Sequence, residues 1–213
     1  MARQTMTRQA SSVANTASTA IEAPDPRLDE ILKVAAAVFR KRGYNGGTLE
    51  EIATKLRIKR PALYYYFRSK EELLRTLLTR AMRIGLVDLE RAAEIDDPRA
   101  RFEAAVVHLV ELVARERDVI SVYFQESETV MRAAGREARE IEDRYLSRFR
   151  EIVVEALAET GNRDIDPGIA TFTVLGMCSW TYKWLRPAGP KAPREIARDM
   201  SRIILGPRPR KRG

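Results

Sequence analysis

Cationic and phenolic side chains are concentrated between positions 48 and 70, and their chemistry suits a DNA groove. Arg60 could donate two hydrogen bonds to a guanine, and the Ala62 methyl group could contact the methyl group of a thymine. Lys70 lies at the start of a predicted helix, where the helix N-terminus favours a DNA phosphate. Tyr64 and Tyr65 are also candidates to face DNA, with simple packing as the alternative for both. These side chains predict recognition of double-stranded DNA.

Two short predicted helices and a tight break would position these groups. Thr48 can cap the first helix, with Glu51 completing a capping box, and its hydroxyl could also contact a phosphate. Apolar residues then recur at the spacing of one buried helix face, namely Leu49, Ile52, Ala53 and Leu56. After a break at 57–60, Pro61 occupies the first turn of a helix over about 60–66. A helix this short needs neighbours to be stable, which is the arrangement of a helix-turn-helix.

The second of these helices has an inner side that should anchor it. Leu63 and Phe67 are four residues apart and are predicted to pack inward, and packing is also the favoured interpretation for Tyr66. Ser69 and Glu72 form a second capping box that begins the next helix. The outer side is then left to residues that could face DNA, to which Lys59 and Pro61 belong.

The charge of the chain is concentrated in the same region. Residues 26–85 contain 14 Lys and Arg against 6 Asp and Glu, a surplus equal to the net charge of +8 of the whole chain. Lys and Arg that neutralise phosphates supply most non-specific DNA affinity. A basic region can also be no more than a solvated surface, so the charge supports DNA binding only together with the helix-turn-helix pattern.

The stretch TLEEIATKLRIKRPALYYYFRSKEELL at 48–74 resembles the DNA-binding motif of TetR-type repressors. The T-x-x-x-I-A, L-Y-x-Y-F and S-K-E-E-L-L elements are in register, and the resemblance extends without a gap over residues 27–80. It implies that Tyr64 contacts a phosphate and that Tyr65 lies near a base or a phosphate. The family usually has glycine in the turn where this chain has Arg57, and a left-handed conformation there would be strained.

The rest of the chain predicts an all-α protein of about nine helices. After the helix-turn-helix lobe, amphipathic helical stretches cover about 69–93, 99–115, 119–131, 136–160, 166–185 and 193–205. We therefore predict a disordered N-terminal arm at 1–25, a DNA-binding domain at 26–70, a ligand-binding and dimerisation domain at 71–205 and a basic tail at 206–213.

Several classes of protein are disfavoured by composition. The chain has no run of 18 apolar residues for a membrane span and no apolar core for a secretory signal, which favours the cytoplasm. A single Cys178 excludes an intramolecular disulfide, and with one histidine no zinc cluster of Cys and His can form. Neither a nucleophile elbow nor a phosphate-binding glycine loop is present, so we predict no enzyme, no cofactor and no metal site.

The segment 169–184 is apolar nearly all round its predicted helix. Together with apolar residues of the last helix it could form half of a four-helix interface with a second copy. We predict a homodimer through 166–185 and 193–205, whose two reading helices would enter successive major grooves. A helix buried within a monomer is the alternative.

A narrower resemblance concerns the C-terminal half. VYFQESETV at 122–130 and G-M-x-x-W-x-x-x-W-x-R-P-x-G at 176–189 are similar to a TetR-type subgroup whose members often respond to acyl-CoA thioesters. Departures from that subgroup are Ser179 in place of Asn and Leu185 in place of Tyr. Candidate ligand contacts are His108, Tyr123, Gln125, Glu126, Trp180, Lys183, Trp184 and Arg186.

For a CoA ligand, Lys183 and Arg186 could meet phosphates while Trp180 stacks on adenine or lines the acyl channel. Packing in the core or in the dimer is an equal alternative for each candidate, and a core role is favoured for His108. Glu126 could instead attract a cationic ligand.

The sequence thus predicts a homodimeric repressor that binds a pseudo-palindromic DNA operator and is released by a small hydrophobic effector such as an acyl-CoA. A sensor of lipophilic cations and a non-specific DNA-binding protein remain the alternatives.

Overall fold

The computed structural model describes residues 25–125, 127–161, 164–186 and 188–207, with side chains omitted for 127–131. Most of the predicted N-terminal arm, Glu126 and positions 208–213 of the basic tail lie outside the described residues. The described part is all α-helical and contains no strand. Its ten helical segments are α1 Pro26–Gly46, α2 Leu49–Lys55, α3 Arg60–Tyr66, α4 Lys70–Ala93, α5 Pro98–Arg115, α6 Arg117–Gln125, α7 Ser127–Ala158, α8 Pro167–Ser179, α9 Thr181–Trp184 and α10 Pro193–Leu205. A single residue separates α8 from α9, so counting them as one bent helix gives the predicted nine.

Capping side chains set the starts of the helices in the first lobe. The Thr48 hydroxyl accepts a hydrogen bond from the Glu51 N–H at 3.1 Å, and the Ser69 hydroxyl accepts one from the Glu72 N–H at 3.1 Å. The Glu72 carboxylate reaches back to the N–H of Arg68, one residue before the predicted partner. Each bond satisfies an N–H that the first turn of a helix leaves without an intrahelical acceptor.

A first core joins α1 to α4 and also receives residues from α6 and α7. The largest side chains buried in it include Ile31, Phe39, Ile52, Leu63, Leu73 and Leu78. Leu63 and Phe67 hold α3 against this core, as their spacing predicts, and Tyr66 packs partly against it. The seven residues of α3 are therefore stabilised by tertiary packing, because a free helix of this length is unstable.

A second core lies among α4, α5, α7, α8 and α10, with Phe102 and Phe149 fully buried in it. Three helices, α4, α6 and α7, contribute to the surroundings of both cores. The first half of α4 packs in the first core, and its Leu89 packs in the second. Helix α6 supplies Val119 and Val122 to the first core, while its Ile120 packs against the second. A displacement of one of these helices would therefore change the packing of both cores.

Two features of the long helices bear on the predicted boundaries. The helix expected over 136–160 is the second part of α7, which follows a kink at Gly135, where a φ of 82° and a ψ of −168° are non-helical. The helix expected to run through 185 breaks at Trp180, where α8 ends and α9 begins. The Arg117 guanidinium fixes the end of α9 by donating to the carbonyl oxygen of Tyr182 at 2.7 Å.

Candidate DNA-reading face and ligand cavity

One side of α3 and the residues around it form an exposed surface, which we call the reading face. Its exposed predicted DNA contacts are Thr48, Lys59, Arg60, Pro61, Ala62, Tyr64 and Tyr65. Tyr65 is the most open of them, with 86% of its surface accessible, whereas Leu63 on the opposite side of α3 is fully buried. The structure thus brings these seven residues to the surface of one small lobe. Whether they contact DNA stays a prediction.

Arg60 is held in place by two neighbours on the reading face. Its Nη1 lies 2.6 Å from a Glu50 carboxylate oxygen, and its Nη2 donates to the Tyr64 hydroxyl at 2.8 Å. The guanidinium carbon lies 5.2 Å from the centroid of the Tyr64 ring. The hydrogen bond with Tyr64, followed by the charge of Glu50, raises the pKa of Arg60. An arginine has five N–H donors, so this arrangement orients the side chain and leaves donors for a base.

Sequence reasoning did not single out Glu50. An acidic residue in the first turn of a helix is ordinary, because it complements the positive end of the helix dipole. The partner of its carboxylate depends on how α2 and α3 cross, which the sequence pattern does not specify.

Lys70 is used inside the lobe. Its ammonium donates to the carbonyl oxygens of Tyr44 at 2.9 Å, Asn45 at 3.2 Å and Gly47 at 3.2 Å. These three bonds match the three N–H donors of an ammonium group. In this structure Lys70 closes the junction of α1 and α2, and the predicted phosphate contact would require it to give up one of these carbonyls.

The turn between α2 and α3 contains Arg57 in a left-handed conformation, with a φ of 54°. Among the residues described, it is the one non-glycine with a positive φ. The strain expected from the absence of glycine is therefore present, and the turn keeps its left-handed geometry around an arginine.

A cavity of about 320 Å³ lies between α4, α5, α6, α7 and α8. Its wall is mainly apolar, and the larger apolar side chains are Leu78, Met82, Leu109, Leu112, Val119, Ile120, Phe124, Leu146, Phe172 and Leu175. The size falls within the range of small-molecule sites, about 300–1,000 Å³. Its apolar wall would suit the hydrocarbon part of a ligand.

Four side chains give the cavity polar atoms, namely Tyr123, Glu142, Tyr145 and Ser179. The Tyr123 hydroxyl donates to the Glu142 carboxylate, and burial, followed by this hydrogen bond, raises the pKa of Tyr123. The Tyr145 ring stacks on Phe149 at 5.8 Å between centroids, and burial raises the pKa of Tyr145. Both phenols therefore remain protonated near neutral pH.

The structure separates the predicted ligand contacts into several places. Tyr123 lines the cavity, while His108 lines a smaller adjoining gap that has no room for a water molecule. Gln125 is exposed at the end of α6. Trp180, Lys183, Trp184 and Arg186 are exposed and do not line the cavity.

The structure corrects the prediction of one continuous helix over 166–185, from whose end Trp180, Lys183 and Trp184 were expected to reach the ligand. Because α8 ends at Ser179, the aromatic residues beyond it belong to Trp180 and the short helix α9. Trp180 packs edge-on against Tyr182, and the Lys183 ammonium lies 4.9 Å from the centroid of the Tyr182 ring. Tyr182 in turn stacks on Phe124, which lines the cavity. Trp180 and Lys183 therefore pack on Tyr182, which lies against the Phe124 side of the cavity wall.

Glu142, Tyr145 and Phe172 line the cavity but were missed as ligand candidates. Glu142 and Tyr145 lie three residues apart on α7. That spacing on a helix was the available signal, since such residues are neighbours on one face. Ser179, noted only as a departure from the subgroup, also lines the cavity.

The predicted dimer segments carry large exposed apolar side chains. On α8 and α10 these include Ile169, Phe172 at 65% exposure and Ile203 at 76%, and Trp180 and Trp184 extend the set along α9. Apolar surface of this kind marks interaction sites in soluble proteins.

Other chemistry finds little support in the described residues. No group of three His, Cys, Asp or Glu side chains there could hold a metal ion. No described helix is long and apolar enough to cross a membrane. Cys178 is buried, and burial raises the pKa of its thiol to about 12, which fits a packed side chain better than a reactive one.

The chain matches two protein-family models. One, described as bacterial regulatory proteins of the tetR family, matches residues 31–77. The other, described as the tetracyclin repressor-like C-terminal domain, matches residues 95–207. The chain therefore belongs to the TetR family of transcriptional regulators, which act through a DNA-binding helix-turn-helix.

Alignments with individual relatives cover most of this chain. The transcriptional repressor KstR2 of Rhodococcus jostii is 30% identical over 190 residues, which are 84% of this chain and 89% of KstR2. A structure of AibR in complex with isovaleryl coenzyme A and operator DNA is 30% identical, covers 85% of this chain and 99% of that chain, and has a TM-score of 0.70. The ketosteroid transcriptional regulator KstR2 of Mycobacterium tuberculosis shares the fold, with a TM-score of 0.76 at 23% identity over 86% of this chain and 95% of that chain.

Proposed function

We propose that the protein is a homodimeric repressor that binds an operator through the reading face and leaves it when an acyl-CoA thioester enters the cavity. The observation that carries this proposal is the position of α6, whose Val119 both lines the cavity and packs in the first core. A ligand in the cavity would therefore press on a helix that also supports the DNA-binding lobe.

The reading face would contact DNA with exposed basic and phenolic groups. Arg60 would donate to a guanine, and Ala62 would contact a thymine methyl group. Thr48 and Tyr64 would contact phosphates, with Tyr65 near a base or a phosphate and Lys59 and Pro61 alongside. Lys70 would serve mainly to hold the lobe in shape, because its ammonium already binds three carbonyls.

Dimerisation would bury the exposed apolar side chains of α8, α9 and α10. A two-fold axis would pair the same surface on both copies, so that residues 166–185 and 193–205 meet their counterparts. Two reading faces could then engage major grooves one helical turn, about 34–36 Å, apart.

For the effector, the cavity would take the acyl group and leave the charged nucleotide part of CoA outside. The Lys183 ammonium, 4.9 Å from the centroid of the Tyr182 ring, and the exposed Arg186 side chain would be available for CoA phosphates. AibR, at 30% identity, is known in complex with isovaleryl coenzyme A and operator DNA, and this supports the effector class.

Release would follow from a shift between two conformations. Besides the packing of α6, the Arg40 guanidinium of α1 lies 2.7 Å from the Asp118 carboxylate of α6, which ties the lobe to the cavity wall. An effector that prefers the non-binding conformation by about 1.4 kcal/mol would weaken operator binding tenfold.

Fluorescence anisotropy on labelled DNA selected by the protein from a random duplex library tests DNA recognition. We expect the selected duplex to bind more tightly than a scrambled one at about 150 mM salt, which is close to physiological ionic strength. Acyl-CoAs of several chain lengths should release it, and free CoA should not. A Tyr64→Ala/Lys70→Ala variant should lose selective binding and remain dimeric. Equal affinity for both duplexes would instead indicate a non-specific DNA-binding protein.

A sensor of lipophilic cations is the second candidate. Glu142 is the one charged side chain among the described residues that line the cavity, and a carboxylate among aromatic rings suits a cation. Release of the selected duplex by a lipophilic cation, with no effect of any acyl-CoA, would favour this candidate.

A further inference from the structure

We infer that the cavity limits the length of the effector's apolar tail, which enters beside Phe124, ends against Gly85 and Leu112, and can be of short or medium length only. This inference deepens the proposed function, since it rests on the cavity being the effector site and names the acyl groups that the cavity would accept.

The exposure of the lining residues shows which side of the cavity is open. Phe124 of α6 lines the cavity, is 46% exposed and lies outside the predicted dimer segments. Its ring stacks on Tyr182, and the Lys183 ammonium lies 4.9 Å from the centroid of the Tyr182 ring, so a positive charge lies close to this opening. The charged part of an acyl-CoA would therefore stay beside Phe124 while its tail points inward.

The inner end of the cavity is formed by buried residues of α4, α5 and α6. These are Leu78, Ala81, Gly85, Leu109, Leu112 and Val119. Three of them, Gly85, Leu109 and Leu112, also border the smaller gap beside His108, which has no room for a water molecule. The cavity does not continue into that gap, so a tail that reaches these three residues ends there.

The volume of the cavity sets the longest tail. A methylene group occupies about as much room as a water molecule in the liquid, about 30 Å³, so the cavity of about 320 Å³ holds about ten carbon atoms. Each methylene that moves from water to the apolar wall strengthens binding about fourfold. Further carbons would have to displace packed side chains or remain in water, and neither strengthens binding. Affinity should therefore rise with tail length and then level off.

Gly85 lets the Leu112 side chain lie close to the backbone of α4. A side-chain carbon at position 85 would lie 2.9 Å from Leu112 Cδ2, well inside the roughly 3.5–4.0 Å of a normal carbon–carbon contact. The adjoining gap has no room for a displaced Leu112 side chain, whereas the cavity has. Gly85→Ala should therefore turn Leu112 into the cavity and shorten it, while the helix itself gains a better helix former.

Straight-chain acyl-CoAs of every length from butanoyl to tetradecanoyl would be titrated into the full chain by isothermal titration calorimetry, below the concentrations at which they form micelles. We expect the dissociation constant of the parent protein to fall about fourfold per methylene and to level off at about ten carbons. Gly85→Ala should move the levelling point to a tail shorter by about one carbon, because it adds one methyl group. Leu112→Ala removes about three carbons between the cavity and the gap and should lengthen the longest tail by a similar number.

Gly46→Ala is the matched control, because it makes the same change at the exposed end of α1 and should leave the levelling point where it is. Thermal unfolding of each variant would verify folding, and Gly85→Ala alone suffices if Leu112→Ala does not fold. An affinity that still rises at tetradecanoyl or stops rising before octanoyl would overturn the inference, as would a levelling point that Gly85→Ala does not shorten. Each of these results would leave acyl-CoA as the effector class. If no acyl-CoA binds, the proposed effector class fails together with the inference.

Discussion

Glu50 is an acid on a surface that otherwise offers positive charge and phenols to DNA. Its ion pair with Arg60 is exposed, and such pairs contribute about 0–1 kcal/mol. Its effect on DNA binding should exceed its effect on stability, because a negative charge on the reading face repels phosphates while the pair restrains Arg60.

Replacing Glu50 with Gln should therefore tighten binding to scrambled DNA by about fivefold. The gain should come with a smaller ratio of selected to scrambled affinity, since Arg60 would be free to contact phosphates in any sequence. Fluorescence anisotropy on both duplexes measures the two quantities. Glu137→Gln is the matched control, because Glu137 is exposed on α7 and pairs with Arg83 away from α3. An unchanged affinity for scrambled DNA would contradict this account of Glu50.

Arg57 gives a prediction for stability. A non-glycine residue in the left-handed region costs about 1–2 kcal/mol, and Arg57 is exposed, so its side chain has little packing to lose. Arg57→Gly should raise the free energy of unfolding by about 1 kcal/mol. Arg75→Gly, within α4, should lower it by a similar amount, because glycine is unfavourable inside a helix. Urea denaturation compares the two, and a loss of stability in Arg57→Gly would show that the turn is not strained.

The helices of this chain were largely predictable because their ends carry local signals. Thr48, Ser69 and Asp166 accept N–H bonds from the first turns of α2, α4 and α8, and Pro193 begins α10. Such signals act over three or four residues, so they can be read without knowing the fold.

The packing between helices that are distant in the chain was less predictable. The break at Trp180 interrupts an apolar run without glycine or proline at the break, so no local signal marks it. The four predicted ligand contacts from Trp180 onward do not line the cavity, and α7 and α8 contribute Glu142, Tyr145 and Phe172 to its wall instead. The faces at which two helices meet depend on packing between segments that are far apart in the chain. The periodicity of a single sequence does not specify that packing.

The exposed face of α8 gives a prediction about assembly. Ile169 is two-thirds exposed in the single chain and would be buried in the proposed dimer. Ile169→Asp should shift the protein toward monomer, because an unpaired carboxylate would be placed in an apolar interface. Val87→Asp, an exposed apolar residue of α4 outside the dimer segments, should have no such effect. Sedimentation velocity measures both, and a variant Ile169→Asp that sediments like the parent would exclude this face.

Across the whole molecule, charge and function are divided between two parts joined by shared helices. The surplus of positive charge lies in residues 26–85, where phosphates would be neutralised, and the remainder of the chain is balanced. The cavity lies in the other part, but α4 and α6 reach from its wall into the first core. We propose that this connection lets occupation of the cavity control the reading face.

A titration of the protein–DNA complex with an acyl-CoA, followed by fluorescence anisotropy in the parent and in Met82→Trp, tests that claim most directly. Met82 lines the cavity and packs against the first core, so tryptophan there should occupy part of the cavity and act on that core as an effector would. We expect the parent to bind the selected duplex and release it on addition of acyl-CoA, and Met82→Trp to bind it more weakly without effector and to respond little to acyl-CoA. Release that is equal in both proteins would show that the effector acts elsewhere and would contradict the account.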